Sequence, residues 1–174
     1  MLTSPAIANR RSPQEQAGFT LVELLIVMSV ILIIITLAIP SYEHVHIKAN
    51  ETSAIASVRM LNSMETEYNS SFPSHGFACS LATLGGKQSA GAGTAEAAGL
   101  IPEDLASGSK AGYNFTVSNC AKNTVNNVDQ YNSYQITATP VNVGKTGNRT
   151  FCSDETGQIR FDPKGGTNCT EILQ

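Results

Sequence analysis

The sequence contains no tryptophan, no CxxC pair and no basic run longer than Arg10-Arg11. Each absence narrows the field. Without a lysine- or arginine-rich stripe, and with a formal net charge of -3, a nucleic-acid-binding surface is not expected. Without closely spaced cysteine pairs the common zinc patterns are missing, and no metal site is expected from them. The histidines are His44, His46 and His75, and no serine or cysteine beside them forms a recognisable nucleophile motif. His44 and His46 would point in roughly opposite directions on a helix, so they read as solvated side chains rather than ligands. Gly85-Gly86-Lys87 lacks both the upstream glycine and the following serine or threonine of a phosphate loop. The chain therefore carries no catalytic residues, and an enzyme is not expected. Its 174 residues suffice for one domain and an extended segment.

A further absence is local. From Leu24 to Tyr42 there is no charged side chain. At 1.5 Å per residue, Phe19 to Pro40 forms a helix of roughly 33 Å, which matches a hydrocarbon core of roughly 30 Å. Arg10 and Arg11 precede the run with no comparable basic cluster just after it, so the N-terminus is expected to stay cytoplasmic and the polar remainder to lie outside. A secretory signal peptide competes with this reading. Against it stand the length of the run, the lack of a clean small-x-small cleavage site after it, and an acid in its first turns. That acid, Glu23, is costly inside a membrane unless it is paired. No lysine, arginine or histidine lies between Arg11 and His44. Cleavage after Gly18 would supply an amino group at Phe19, largely cationic at neutral pH. Such an amine could meet Glu23 of the same helix or of a neighbour, and so set the register of a polymer.

Gly18-Phe19-Thr20-Leu21-Val22-Glu23-Leu24, with the aliphatic run behind it, closely resembles the processing site of type IV prepilins and type II secretion pseudopilins. The resemblance implies cleavage between Gly18 and Phe19 by a prepilin peptidase, N-methylation of Phe19, and a role for Glu23 in docking the subunit into a filament. It implies a homopolymer built with an inner-membrane assembly platform and minor pilins. The precursor would sit in the bacterial inner membrane as a single-pass protein and then leave for an extracellular pilus. The leader is longer than the handful of residues usual in the commonest pilin class. Pro40 closes the apolar block and is expected to end or break the helix; the resemblance implies that this stretch can extend or melt on assembly.

The expected organisation is a leader over 1–18, a transmembrane and polymerisation helix over 19–40, an amphipathic continuation over 41–70, a variable loop over 71–112, and an antiparallel sheet over 113–174. In the continuation, Ile47, Ala54, Ile55, Val58, Leu61, Met64 and Tyr68 recur at spacings of three and four, the sign of a face packed under a sheet. Glu51 lies on the same face and is excepted from that packing, while His46, Asn50, Arg59 and Glu67 should face water or other subunits. Gly85-Gly86 and the Ala- and Gly-rich Ser89 to Gly99 suggest a flexible surface loop with at most short helices near Leu81 and Leu100. Tyr113, Phe115 and Val117, then Tyr134, Ile136 and Ala138, alternate with polar residues as strands do. Phe151 to Ser153 and Gln158 to Phe161 flank a hairpin turn at Asp154 to Gly157. The fold class is α+β, pilin-like, with one long N-terminal helix packed against a small antiparallel sheet.

Four cysteines, Cys79, Cys120, Cys152 and Cys169, sit behind the apolar run. An even count there suggests disulfides formed in an oxidising compartment. Three pairings are possible; Cys79 with Cys120 and Cys152 with Cys169 is the favoured one, and free buried thiols are the alternative. No cofactor is expected, with calcium held by Asp154, Glu155 and Asp162 as a weak exception, since major pseudopilins hold calcium in a C-terminal loop. The pilus subunit, serving adhesion, twitching motility or biofilm formation, is favoured over the secretion pseudopilin by the two disulfides and the long loop. Glu23 argues for a subunit of the filament body. A monomeric membrane-anchored binding domain would leave Gly18 and Glu23 unexplained.

Overall fold

The computed structural model describes residues 18–86 and 93–173, and for 37–41 the backbone alone. The leader over 1–17 and the segment 87–92 of the expected loop lie outside the described residues. Two compact units are present, Met1–Pro40 and Ser41–Gln174. Helix α1 (Leu21–Ser71) contributes to both.

Among the described side chains of the first unit, α1 has no buried face. The aliphatic side chains from Leu21 to Ile35 are all well exposed, between 44% and 79%. Ser29 in this stretch and Thr36 just after it each donate a hydroxyl to a carbonyl three residues earlier, Ile26 O at 2.7 Å and Ile33 O at 2.8 Å. The stretch thus presents hydrocarbon on all sides, with its hydroxyls satisfied internally. Among the described residues no helix is long and apolar enough to cross a membrane. The side chains that would complete the expected span, Leu37 to Pro40, lie outside the described residues. The break expected at Pro40 is not present: α1 is helical through Pro40, although the boundary between the units falls there. A proline removes one helical hydrogen bond, and the bonds of the turns on either side carry the helix past it.

In the second unit the helix is amphipathic, and its spacing was legible. Ile47, Ala54, Val58, Leu61 and Tyr68 are buried, with Ile55 and Met64 packed at the margin. All of these except Ile47 join Tyr113, Phe115, Ile136, Ala138 and Phe151 in a single core. Two expectations for this helix need correction. Glu51 and Asn50 are both buried, at 6% and 9% exposure, because loop residues 146–149 cover them with hydrogen-bond partners. His46, Arg59 and Glu67 are exposed as expected.

The sheet is antiparallel throughout. Its strands are β1 (Ser109–Lys110), β2 (Tyr113–Ser118), β5 (Gln135–Pro140), β6 (Thr150–Asp154), β7 (Arg160–Asp162) and β8 (Glu171–Ile172), adjacent in that order. On the core face Phe115 sits opposite Ala138 and Val117 opposite Ile136. Between β2 and β5 the chain makes a separate hairpin, β3 (Lys122–Val125) with β4 (Val128–Tyr131). Its two-residue turn, Asn126-Asn127, has positive φ at both positions, 54° and 63°. That geometry suits the twist of paired strands, and asparagine tolerates it.

The segment expected to be a surface loop is partly core. Helices α2 (Leu81–Leu84) and α3 (Glu103–Ala106) are single turns. With their neighbours they bury Ala78, Leu81, Leu84, Ala98, Ile101 and Leu105. Ser80 caps α2 by accepting from Thr83 N at 3.0 Å. Gly76 has φ 73° and lies flat against the Tyr131 backbone, where a β-carbon would collide. Disulfides join Cys79 to Cys120 and Cys152 to Cys169, each with Cα atoms 6.0 Å apart. These are the pairings favoured from the sequence. The first fastens the segment after α1 to the end of β2. The second lays the C-terminal segment over the outer face of β6, which is why Thr150 and Cys152 are buried as well as Phe151 and Ser153.

Candidate functional site

The N-terminal site is a short stretch of chain entering a helix. Gly18 and Phe19 are exposed, Phe19 at 77%, and a β-carbon placed on Gly18 would meet nothing within 4 Å. The Gly18–Phe19 peptide bond therefore lies in an accessible, non-helical segment just before Leu21, where a protease could hold it extended. Thr20 is the residue that sequence reasoning missed. Its hydroxyl accepts from Glu23 N at 3.3 Å and donates to the Glu23 carboxylate at 3.5 Å. Thr-x-x-Glu is the sequence pattern of a capping box, of which the Glu23 N to Thr20 hydroxyl half is present, with the carboxylate bonded to the hydroxyl. The acid also lies in the first turn, where the helix dipole favours negative charge. Glu23 thus has a local partner, and its side chain is exposed beside the apolar surface of α1.

Away from this site, two buried carboxyls stand out. Glu51 accepts four hydrogen bonds, from Asn148 N and Arg149 N at one oxygen and from Arg149 Nε and Nη2 at the other, at 2.7–3.2 Å. Burial alone would push its pKa up, but the guanidinium and the two backbone donors bring it below the usual carboxylate range. Arg149 also lies over the rings of Phe151 and Phe161, 5.3 and 5.2 Å from their centroids. Together these contacts tie the loop before β6 to α1. Arg149→Ala is expected to lower unfolding free energy by about 2 kcal/mol, less than for a fully buried pair because Arg149 is a third exposed. Arg149→Lys should recover only part of the loss, since an ammonium cannot make the forked contact. Urea titration of both variants at neutral pH checks this.

Glu65 is different. It is fully buried, with one oxygen accepting from Ala78 N at 2.8 Å and the other without a partner among the described residues. Burial pushes its pKa up to about 8 despite the Ala78 bond. The side chains of Tyr68 and Tyr134 feel its charge. Its spacing from Val58, Leu61 and Tyr68 places it on the packed face, away from exposed Glu67, but the sequence does not single out an acid there.

Of the oxygen ligands considered for calcium, Glu155 is exposed and the other two have protein partners. Asp154 accepts from Thr156 N at 3.0 Å and stands 3.8 Å from Arg160, while Asp162 accepts from Lys164 N at 2.9 Å. Among the described residues no group of three or more histidines, cysteines and acids could hold a metal ion.

Residues 14–39 match the family model described as the prokaryotic N-terminal methylation motif. The match takes in Gly18, Phe19, Glu23 and the aliphatic run, and stops one residue before Pro40. No curated protein and no solved structure matches the chain.

Proposed function

Because the chain carries the N-terminal signature of type IV pilins and pseudopilins, we propose that it is the structural subunit of a type IV pilus. Proteins with this signature are structural subunits that begin as membrane-anchored precursors and polymerise after processing. The observation that carries the proposal is the helix surface from Leu24 to Ile35, aliphatic on every side and exposed. A helix apolar all round needs lipid or other helices around it. It would have lipid in the precursor and the same helix of neighbouring subunits in the filament. Burial at about 25 cal/mol per Å² yields tens of kcal/mol gross for such a bundle, before ordering costs.

In this scheme a prepilin peptidase hydrolyses the Gly18–Phe19 bond and the new amino group of Phe19 is methylated. An inner-membrane assembly platform, with minor pilins, then moves the subunit from the membrane into the growing homopolymer. Glu23 meets the amino terminus of a neighbouring subunit and sets the axial register. Pro40 is the point where α1 opens on extraction, since its turn already lacks one hydrogen bond. The subunit works without a cofactor, and the filament serves adhesion, twitching motility or biofilm formation.

The first test is mass spectrometry of sheared surface filaments. An N-methylated peptide beginning at Phe19 in that fraction is the expected result. The same peptide confined to the membrane fraction would favour a secretion pseudopilus. A terminus that retains the residues before Phe19 would overturn the processing scheme.

A further inference from the structure

Among the described residues, the unit Ser41–Gln174 exposes six large apolar side chains, and four of them are Tyr42, Val45, Val141 and Val143. Tyr42 and Val45 are 69% and 63% exposed, and Val141 and Val143 about half. The two pairs come from distant parts of the chain, and the Tyr42 side of α1 faces the loop that follows Val143. Tyr42 and His46 line a cavity of about 510 Å³ with Gly144 and Lys145. Asn50 Nδ2 donates to Thr146 O at 2.9 Å, which holds the loop after β5 against α1. The charges here run against the acidic chain. Lys145 and Glu43 line that cavity, and exposed Lys48 lines the adjoining one, which shares Ile47 with it. The nearby carboxylate of Glu51 is buried and neutralised by Arg149.

We propose that this surface rests on the anionic headgroups of the bilayer while the subunit awaits assembly. The occupant follows from continuity and charge. Tyr42 stands two residues beyond Pro40, where the aliphatic run ends, so a chain anchored by that run brings this end of the unit to the interface. An amphipathic ring suits the headgroup level, and Tyr42 is placed to supply it. Valines at half exposure fit the acyl boundary, and two lysines are attracted to anionic headgroups of the outward-facing leaflet. A contact of this size is weak enough to be released on extraction. The proposal rests on the membrane-anchored precursor argued above, and the test separates the two.

The absence of tryptophan makes single-tryptophan reporters clean. The full chain would be reconstituted in vesicles of phosphatidylcholine with or without phosphatidylglycerol. Tyr42→Trp, Val141→Trp, Val143→Trp and Val125→Trp would each be read against a headgroup-level nitroxide quencher. Val125 lies at the turn of the β3–β4 hairpin, which bonds to the segment after the far end of α1. The expected result is quenching at Val141→Trp and Val143→Trp within about twofold of that at Tyr42→Trp, none at Val125→Trp, and loss at the loop positions in neutral vesicles or with Lys48→Glu/Lys145→Glu. Quenching at Tyr42→Trp alone would overturn the docking surface and leave the anchor intact. No quenching at any position would overturn both. Loop signals that follow the protein-to-lipid ratio and ignore lipid charge would overturn the lipid contact in favour of a second copy of the chain.

Discussion

Replacing Glu65 by glutamine is expected to flatten the pH dependence of folding stability and to raise stability near pH 8. In the folded unit the carboxyl holds its proton up to about pH 8 because it is buried. In the unfolded chain the same group releases its proton near its ordinary value of 4.5. Between those two values the unfolded state binds fewer protons than the native state, so stability falls as pH rises. The slope is about 1.4 kcal/mol per pH unit, which sets a ceiling of about 5 kcal/mol over the window. Above pH 8 both states are ionised and the contribution is flat. Glutamine keeps an oxygen for the Ala78 N–H and never ionises. The measurement is a series of melts of the detergent-solubilised full chain from about pH 5 to about pH 9. Every other ionisable group is common to both proteins and cancels in the difference. Parallel curves for the wild type and Glu65→Gln would overturn the assignment.

Glu65 also marks where sequence reasoning ends. The N-terminal site was legible because its residues are contiguous: Gly18, Phe19 and Glu23 fall within six positions of one another. The packed half of α1 was legible because one face is buried, and its apolar residues therefore recur with the helical period. The inward residues of β2 and β5 alternate for the same reason with period two. For the buried polar residues the period is not decisive: Glu51 and Glu65 fall on the packed face by spacing. Asn50, Glu51 and Glu65 owe their burial to partners 13 to 98 positions away. The β3–β4 hairpin was missed because β3 is exposed at every residue, so it has no apolar alternation. Asn126-Asn127 was its one signal. The core contributions from Ala78 to Leu105 were missed because single-turn helices and bends give no run long enough to show a period.

Glu23→Ala is expected to leave cleavage at Gly18–Phe19 intact while filament assembly collapses. Peptidase recognition needs an accessible bond, and Gly18 and Phe19 stand in an exposed segment ahead of the helix. Assembly makes a different demand. In a bundle of α1 helices the new amino group of Phe19 would be surrounded by hydrocarbon, and an unpaired charge there costs about 2.5 kcal/mol or more. Removing one member of a buried pair costs about 3–5 kcal/mol, which is more than about 100-fold in each subunit addition. The structure adds a competing role, because Glu23 also completes the helix start with Thr20. Thr20→Ala separates the two. It removes the hydroxyl at a cost of about 1 kcal/mol and leaves the carboxylate in place. If Glu23 acts through charge pairing between subunits, Thr20→Ala assembles and Glu23→Ala does not, with processed monomer accumulating in the membrane fraction on immunoblots of sheared and unsheared cells. If Glu23 serves only the helix start, the two variants lose filaments to a similar degree, and the docking role passes to the apolar surface alone.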